Sequence, residues 1–411
     1  MSATSTSPWC PCCAGGFPRP PQTTPDPAAR RPADCLADQL GRPKEEVTSW
    51  TPYPGGAPAN VATGLARLGL HALFVGALGE DELGERFMAL LKGEWPGRGL
   101  AVLQEGPQGL TAACELENHC MLQRLPLNSR PGRRRRRRRR ARAERGVDAS
   151  AAQRNAHPTR DVLVVRGLDG DREFAGFGAA ATSDYADCFL DAAALPEVAL
   201  AAADVLVTGT LGLAAGSGAA VRRAVAAAKK GGKCLVVVDV NWRPVFWGDA
   251  GAARAAVLDF VAAAADVLKV SDEEAEWLFG LPAAEALAHP ERVLAAAPRA
   301  RGVLVSAGEK GSSYAFRAPG GKTDVTGVLP VMGVEVVDTT GAGDCYLAGF
   351  IFYMIVSGGL DALVADPAKL LRAAQFATAC GAFVCRSAGA IEGQPTVREV
   401  EELLQAAGWN E

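Results

Sequence analysis

Short apolar runs alternate with helix-like apolar spacings along most of the chain from about residue 47 onward. The clearest pairs are the run 71–76 followed by apolar positions 83, 87, 90 and 91, the run 205–208 followed by a segment reaching residue 230, and the run 235–239 followed by the segment 252–265. Apolar runs of this length are typical of buried strands, and the spacings that follow them are typical of helices. The alternation therefore predicts an α/β fold with a mostly parallel sheet that is covered by helices on both faces.

One segment departs from this alternation. Residues Asp161–Phe174 contain an apolar run, 162–165, ahead of an Asp-Gly pair, which predicts an antiparallel hairpin around that turn. The segment Thr48–Thr51 is a candidate for a further strand beside it. The sequence thus predicts antiparallel strands that interrupt the α/β alternation.

The segment Asp338–Asp344 carries the most informative chemistry. Its sequence is Asp-Thr-Thr-Gly-Ala-Gly-Asp, preceded by a predicted strand over Val334–Val337 and followed by a predicted buried helix over Cys345–Val356. Gly341–Gly343 then lie at the amino end of that helix, where backbone N–H groups and the helix dipole favour an anion. The small residues allow a phosphate to come close, and Asp344 places a carboxylate beside it.

A second segment, Pro54–Asn60, leads into apolar positions at Val61, Leu65 and Leu68. This spacing predicts a short amphipathic helix that ends near Gly69. The adjacent glycines allow a close ligand approach, and the Asn60 amide can both donate to and accept from a polyol.

The segment Asp338–Asp344 is a complete match to DTxGAGD, and the chain resembles the PfkB carbohydrate kinases of the ribokinase-like superfamily, fructokinases in particular. The resemblance covers most of residues 34–92 and 145–405. It implies a three-layer α/β/α sandwich whose small β unit is a lid over the sugar. It also implies that Asp344 is the base that takes the proton of the sugar hydroxyl, and that Gly341, Ala342 and Gly343 hold the charge that develops on the γ-phosphate of ATP.

The resemblance assigns further residues to binding. It implies sugar contacts from Asp34, Gly55, Gly56, Asn60 and Arg243, and nucleotide contacts from Asn241, Ser306, Gly308, Gly311 and Thr340. Glu274 would organise the Mg²⁺ shell, although Ser271 stands where the family usually has Asn. Relatives also imply a monovalent cation such as K⁺ near Asp338 and Thr340, and a homodimer formed through the lid.

Two regions do not resemble the family. Residues 1–33 are rich in Ser, Thr, Pro and Arg with Asp26 as the single acid, which is typical of a disordered or transit-like leader. Residues 93–144 contain eight consecutive arginines, Arg133–Arg140, so we expect a disordered insertion, either a gene-model artefact or a basic segment for RNA or membrane lipids. The kinase domain is then 34–405 with this interruption, and its first family strand is missing before Asp34.

Composition excludes several other classes. A net charge of −3 argues against a general polyanion partner, so we expect no specific nucleic acid, and no apolar segment approaches the ~20 residues that span a bilayer. The 11 cysteines and four histidines form no metal-binding pattern, and no P-loop or Rossmann fingerprint is present. A plastid or cytoplasmic location fits these features.

Three functions remain open on the sequence. The first is an ATP-dependent kinase of a small sugar, with fructose preferred. The second is a catalytically impaired scaffold on the same fold, favoured by the missing strand and by Ser271. The third is a nucleoside kinase, which differs from the first in its substrate.

Overall fold

The computed structural model describes residues 34–37, 41–48, 50–93, 146–167, 172–177, 181–214, 216–318 and 324–409. The leader at 1–33 and almost all of the insertion at 93–144 lie outside these ranges, so both remain predictions. The strands are β1 Asp34–Ala37, β2 Trp50–Tyr53, β3 Ala77–Gly79, β4 Gln153–Asn155, β5 Val162–Arg166, β6 Arg172–Phe177, β7 Val205–Thr208, β8 Leu235–Asp239, β9 Val267–Ser271, β10 Gly302–Ser306, β11 Ser312–Phe316 and β12 Val325–Leu329.

Helices follow most strands of the main sheet. They are α1 Ala57–Arg67, α2 Glu82–Leu91, α3 Glu197–Ala201, α4 Gly218–Lys230, α5 Ala250–Ala264, α6 Asp272–Phe279, α7 Ala283–Ala288, α8 Pro290–Ala296, α9 Ala342–Val356, α10 Leu360–Val364, α11 Pro367–Val384 and α12 Val397–Ala406. None of the helices that the structure describes is long and apolar enough to cross a membrane.

The main sheet has the strand order β12-β11-β10-β9-β8-β7. β7, β8, β9 and β10 run parallel to one another, and β11 and β12 extend the sheet with antiparallel pairing. Residues 236–239 of β8 are buried, which agrees with a sheet covered on both faces. The α/β prediction, a mostly parallel sheet within a three-layer sandwich, is confirmed.

A second sheet, with the order β2-β1-β5-β6, corresponds to the small β unit, and we call it the lid sheet. β5 and β6 pair antiparallel, as predicted for the Asp-Gly hairpin, although residues 168–171 between them lie outside the described ranges. β2 begins at Trp50, so it overlaps the second half of the predicted segment Thr48–Thr51, and it pairs with β1. Asp34 is the first residue of β1, opposite Tyr53 on β2 and Val162 on β5.

The strand predicted over Val334–Val337 is wrong. These residues form an irregular segment, and the side chains of Val336 and Val337 are 44% and 42% exposed. The N–H of Val337 donates to the carbonyl of Cys385 at 2.8 Å, just past the end of α11. The apolar spacing suggested a strand, but the backbone bonds to a helix end instead of to a strand edge.

The helix predicted after this segment is confirmed as α9. It is apolar around its whole circumference because it packs against α11 and α1. This packing fixes the amino end of α9 close to the amino end of α1.

Candidate active site

The amino end of α9 is the centre of the candidate site. Gly341 precedes the helix with φ = +78°, a conformation that favours glycine, and a Cβ at this position would lie 2.6 Å from the Cβ of Ala390. Gly343 and Asp344 lie in the first turn of the helix. Backbone N–H groups and a half-buried carboxylate thus occur together where the helix dipole is positive.

Asp338 fixes the backbone that leads into this turn. One of its carboxylate oxygens accepts from the Thr340 amide at 2.9 Å and from the Thr340 hydroxyl at 2.6 Å, and the other accepts from the Gly389 amide at 2.8 Å. Asp338 is completely buried. Thr340, expected to contact the nucleotide, is itself buried and its hydroxyl donates to Asp338.

Asn60, in the first turn of α1, contacts the predicted base directly. Its Nδ2 donates to Oδ2 of Asp344 at 2.8 Å, and its backbone carbonyl accepts from Nε2 of Gln394 at 2.7 Å. Asn60 is 3% exposed, and its Oδ1 has no hydrogen-bond partner among the described residues. Asn60 therefore orients the carboxylate of Asp344, and its own acceptor Oδ1 faces buried space.

The carboxyl ends of β8 and β9 bring a buried ion pair to the same place. Asp239 is opposite Lys269 in the sheet register, and Nζ of Lys269 lies 2.9 Å from Oδ1 of Asp239. A Cβ placed on Gly343 would lie 3.2 Å from that Nζ. Burial alone would lower the pKa of Lys269, but Asp239 and then Glu274 outweigh it and raise that pKa. Burial raises the pKa of Asp239, against the opposing effect of Lys269.

Glu274, expected near Mg²⁺, also ties two strand ends together. Its Oε1 accepts from the Trp242 amide at 2.6 Å, and its Oε2 accepts from the Ser271 amide at 2.8 Å. The Ser271 hydroxyl in turn accepts from the Glu274 amide, which completes a capping box at the start of α6. Serine therefore caps this helix in the position where the family usually has Asn.

No group of three or more His, Cys, Asp or Glu side chains among the described residues is placed to hold a metal ion directly. The acids nearby offer hard oxygen donors, the kind that Mg²⁺ prefers, and each oxygen of Glu274 keeps a second lone pair. These residues suit an ion that is held mainly by substrate phosphates and water.

The predicted nucleotide glycines lie in a turn after β10. Gly308 and Gly311 have φ values of +52° and +101°, and the Ala307 amide donates to the Gly311 carbonyl at 2.9 Å. A Cβ on Gly311 would lie 2.2 Å from the Leu329 carbonyl oxygen, whereas a Cβ on Gly308 would meet nothing within 4 Å. Gly311 is therefore required by the fold, and Gly308 borders open space.

The other predicted residues are distributed around this centre. Ser306 ends β10 opposite Ser271 in the register, and Asn241, just past β8, has φ = +43°, the one positive φ of a non-glycine residue in the described ranges. Gly56 caps α1 with φ = +108°, directly after the buried Gly55. The Arg243 guanidinium donates to the Trp242 carbonyl at 2.8 Å.

Two residues of the site escaped the sequence prediction. Lys269 is a charged residue inside the apolar strand β9, and that contrast was a usable signal. Gln394 is fully buried and holds the start of α1, but it lies in an irregular segment that no sequence pattern singled out.

A known protein family matches most of the chain. The model of the pfkB family of carbohydrate kinases matches residues 31–95 and 137–397. The chain belongs to the pfkB family. It is a sugar kinase, and it is 30% identical over 376 residues to fructokinase-1 of Oryza sativa subsp. japonica, across 91% of this chain and 95% of that protein.

Solved structures show the same fold. The fructokinase of Xylella fastidiosa with bound ATP has a TM-score of 0.67 and 23% identity, covering 92% of this chain and 96% of that one. The fructokinase of Vibrio cholerae O395 with fructose, ADP and calcium has a TM-score of 0.61 and 22% identity, covering 91% and 97%. Both support the ribokinase-like architecture described above. In this pfkB chain, the gap in the family match falls at residues 96–136, within the predicted insertion.

Proposed function

We propose that this chain transfers the γ-phosphoryl group of ATP to a primary hydroxyl of fructose. The observation that carries the proposal is the carboxylate of Asp344, oriented by Asn60 at 2.8 Å and placed in the first turn of α9 beside Gly341–Gly343. This arrangement combines a base with an anion-binding helix terminus, as phosphoryl transfer to an alcohol requires.

In the proposed reaction, Asp344 takes the proton of the sugar hydroxyl while the hydroxyl oxygen bonds to the γ-phosphorus of ATP. The bond from the γ-phosphorus to the bridging oxygen breaks, and ADP leaves with the electron pair. The amide groups near Gly343 hold the charge on the transferred group. General-base help of this kind contributes roughly 10²–10⁴-fold, and preorganised electrostatics contributes a comparable or larger share.

The relatives support the substrates. The Xylella fructokinase was solved with ATP, and the Vibrio fructokinase with fructose, ADP and calcium. When bound, Mg²⁺ would neutralise the phosphate charge, and Glu274 would orient a water of that ion. The lid sheet, which carries Asp34, would close over the sugar and exclude water as a competing acceptor.

The experiment is an assay of ADP release over a panel of sugars and nucleosides with Mg²⁺. We expect fructose to have the highest kcat/KM. Asp344→Asn should lower kcat about 10²–10⁴-fold, because Asn keeps the shape but cannot take the proton. Binding of ATP by the variant should remain within a few-fold of that of the unaltered chain.

Three outcomes would contradict the proposal in different ways. Preference for a nucleoside would reassign the substrate class. More than roughly a tenth of the rate in Asp344→Asn would show that Asp344 is not the base. No turnover of any member of the panel by the unaltered chain would favour a non-catalytic scaffold.

A further inference from the structure

Lys269 is a buried cation that the mechanism above does not use. It lies in β9 between apolar residues, and it is 7% exposed. Placing an ammonium group in the interior of a sheet costs free energy unless it is paired. A purely structural position in this strand would be filled at lower cost by an apolar residue.

The partners of Lys269 do not exhaust its donors. An ammonium group has three N–H donors, and Asp239, whose Oδ1 lies 2.9 Å from Nζ, is the one acid that forms an ion pair with Lys269 among the described residues. That oxygen lies at ion-pair distance but is not engaged in a well-aligned hydrogen bond. Asp239 thus holds the charge in place and leaves donors for another acceptor.

The position of the Lys269 ammonium group indicates which acceptor could use its remaining donors. Its Nζ lies 3.2 Å from the position of a Cβ on Gly343, directly against the first turn of α9. The charged groups that face it are Asp239 on β8, Glu274 on α6 and Asp344 on α9. One cation among three carboxylates, next to the positive end of a helix, suits an arriving phosphoryl group that carries further negative charge.

We propose that Lys269 is a further catalytic residue, whose ammonium group, held by Asp239, contacts the transferred phosphoryl group from beneath Gly343. The inference rests on the proposed function for the identity of that group. It also explains the glycine at position 343, since a side chain there would push against Nζ. The chemistry required of Lys269 is charge neutralisation and hydrogen bonding, with no proton transferred by it.

The alternative is that Lys269 acts only as the counterion of Asp239. Four variants separate the two roles: Lys269→Met, Lys269→Arg, Asp239→Asn and the double variant Asp239→Asn with Lys269→Met. The double variant removes both charges and so restores the charge balance of the interior. The matched control is Lys229→Met, because Lys229 pairs with Asp266 at 3.5 Å at the amino end of the same strand and away from the cradle.

We expect Lys269→Met to lower kcat by about 10²–10³-fold, in line with the loss of one preorganised donor at a developing charge, with KM for the sugar within about three-fold. Lys269→Arg should retain more of kcat than Lys269→Met, because it keeps the charge. The double variant should recover thermal stability but not kcat. Lys229→Met should leave kcat unchanged.

A second readout does not need turnover. The affinity for a non-hydrolysable ATP analogue relative to the affinity for ADP, measured by calorimetry with Mg²⁺, should fall about ten-fold in Lys269→Met and in the double variant, because only the analogue carries a γ-phosphate. This measurement separates the present inference from the proposed function, since it is informative even if no sugar is phosphorylated.

The inference is wrong if the double variant recovers kcat to within about three-fold of the unaltered chain, because Lys269 would then serve Asp239 alone. It is equally wrong if the analogue-to-ADP ratio in the double variant equals that of the unaltered chain. Should Lys269→Met fail to fold, the double variant and Lys269→Arg still decide between the two roles.

Discussion

Two buried ion pairs lie in different parts of this molecule, one beside the lid sheet and one at the candidate active site. Arg160 and Asp187 lie beside the lid sheet, with side chains that are 4% and 1% exposed, and Lys269 and Asp239 lie beneath the amino end of α9, with side chains that are 9% and 8% exposed. Burial is therefore similar. The difference lies in how many protein groups contact each cation.

Arg160 contacts several protein groups, although one of its terminal nitrogens is buried without a hydrogen-bond partner among the described residues. Its Nε and one NH₂ group donate to the two oxygens of Asp187 at 2.9 and 3.0 Å, and the guanidinium lies over the rings of Phe177, Tyr185 and Phe246 at 4.5–5.3 Å. Phe177 belongs to β6 and Phe246 follows β8, so the contact between these two rings joins the lid sheet to the main sheet. Among the described residues, Lys269 is ion-paired with Asp239 alone. The comparison teaches that a buried pair with many contacts to surrounding protein groups supports the fold, whereas a buried pair with few such contacts beside a cradle is placed to meet a substrate.

The largest effect on stability should come from Arg160→Met. Removing one partner of a buried pair leaves an uncompensated charge on Asp187, and we expect a loss of about 3–5 kcal/mol in the free energy of unfolding. Urea denaturation followed by tryptophan fluorescence measures it. The matched double variant, Arg160→Met with Asp187→Leu, should recover most of that loss. If Arg160→Met unfolds at the same urea concentration as the unaltered chain, the pair does not support the fold.

Gly343→Ala should separate activity from stability. Gly343 lies in the first turn of α9, where alanine is tolerated and a helical alanine gains up to about 1 kcal/mol over glycine. The new Cβ would approach Nζ of Lys269 to 3.2 Å and displace the ammonium group. We therefore expect kcat to fall about ten-fold or more while the unfolding temperature is unchanged or higher.

Gly341→Ala is the control for that variant. Gly341 has φ = +78°, so alanine there is strained by about 1–3 kcal/mol, and the Cβ would meet Ala390. This variant should lose stability as well as activity. Equal effects of the two substitutions on unfolding temperature would contradict the distinction.

A smaller effect is expected at the cap of α6. Ser271→Ala removes the hydroxyl that accepts from the Glu274 amide, and loss of such a cap costs about 1 kcal/mol. Ser271→Asn, which restores the residue usual in the family, should keep the cap and the full stability, because asparagine is an equally good cap. Calorimetric unfolding of the two variants compares them. A larger loss in the asparagine variant would mean that this site requires serine.

The sequence allowed the α9 end of the site to be predicted because its chemistry is local. Gly341, Gly343 and Asp344 lie within four residues, and the helix they begin is apolar and uninterrupted. The alternation of apolar runs and helical spacings is also a local pattern, and it allowed the main sheet to be predicted.

What could not be predicted depends on residues far apart in the chain. The bond from Asn60 to Asp344 joins positions separated by 284 residues, and the pair of Lys269 and Asp239 depends on the register of two strands. Val334–Val337 has the apolar spacing of a strand, but its backbone bonds to the end of α11. Tertiary contacts decided these three cases; the local pattern singles out Lys269 as a charge within an apolar strand but does not give its partner.

The smallest effect should follow removal of the insertion. Gly93 and Gly146, which flank it, have φ values of +74° and +72°, and a Cβ on Gly146 would lie 3.0 Å from the Gly93 amide nitrogen. The Val147 amide donates to the Leu91 carbonyl at 2.7 Å. The two ends of the insertion therefore lie side by side.

Deleting Glu94–Glu144 leaves Arg145 as a link between these two glycines. We expect kcat within about two-fold and an unfolding temperature equal to or slightly above that of the full chain, because a shorter connection costs less closure entropy. Activity assays and calorimetry of the shortened chain measure both.

In the shortened chain, Arg160→Met should still lower stability and Lys269→Met should still lower kcat. A large loss of stability or activity on deletion would show that the insertion supports the fold, and the two ion pairs could then be compared only in the full-length chain.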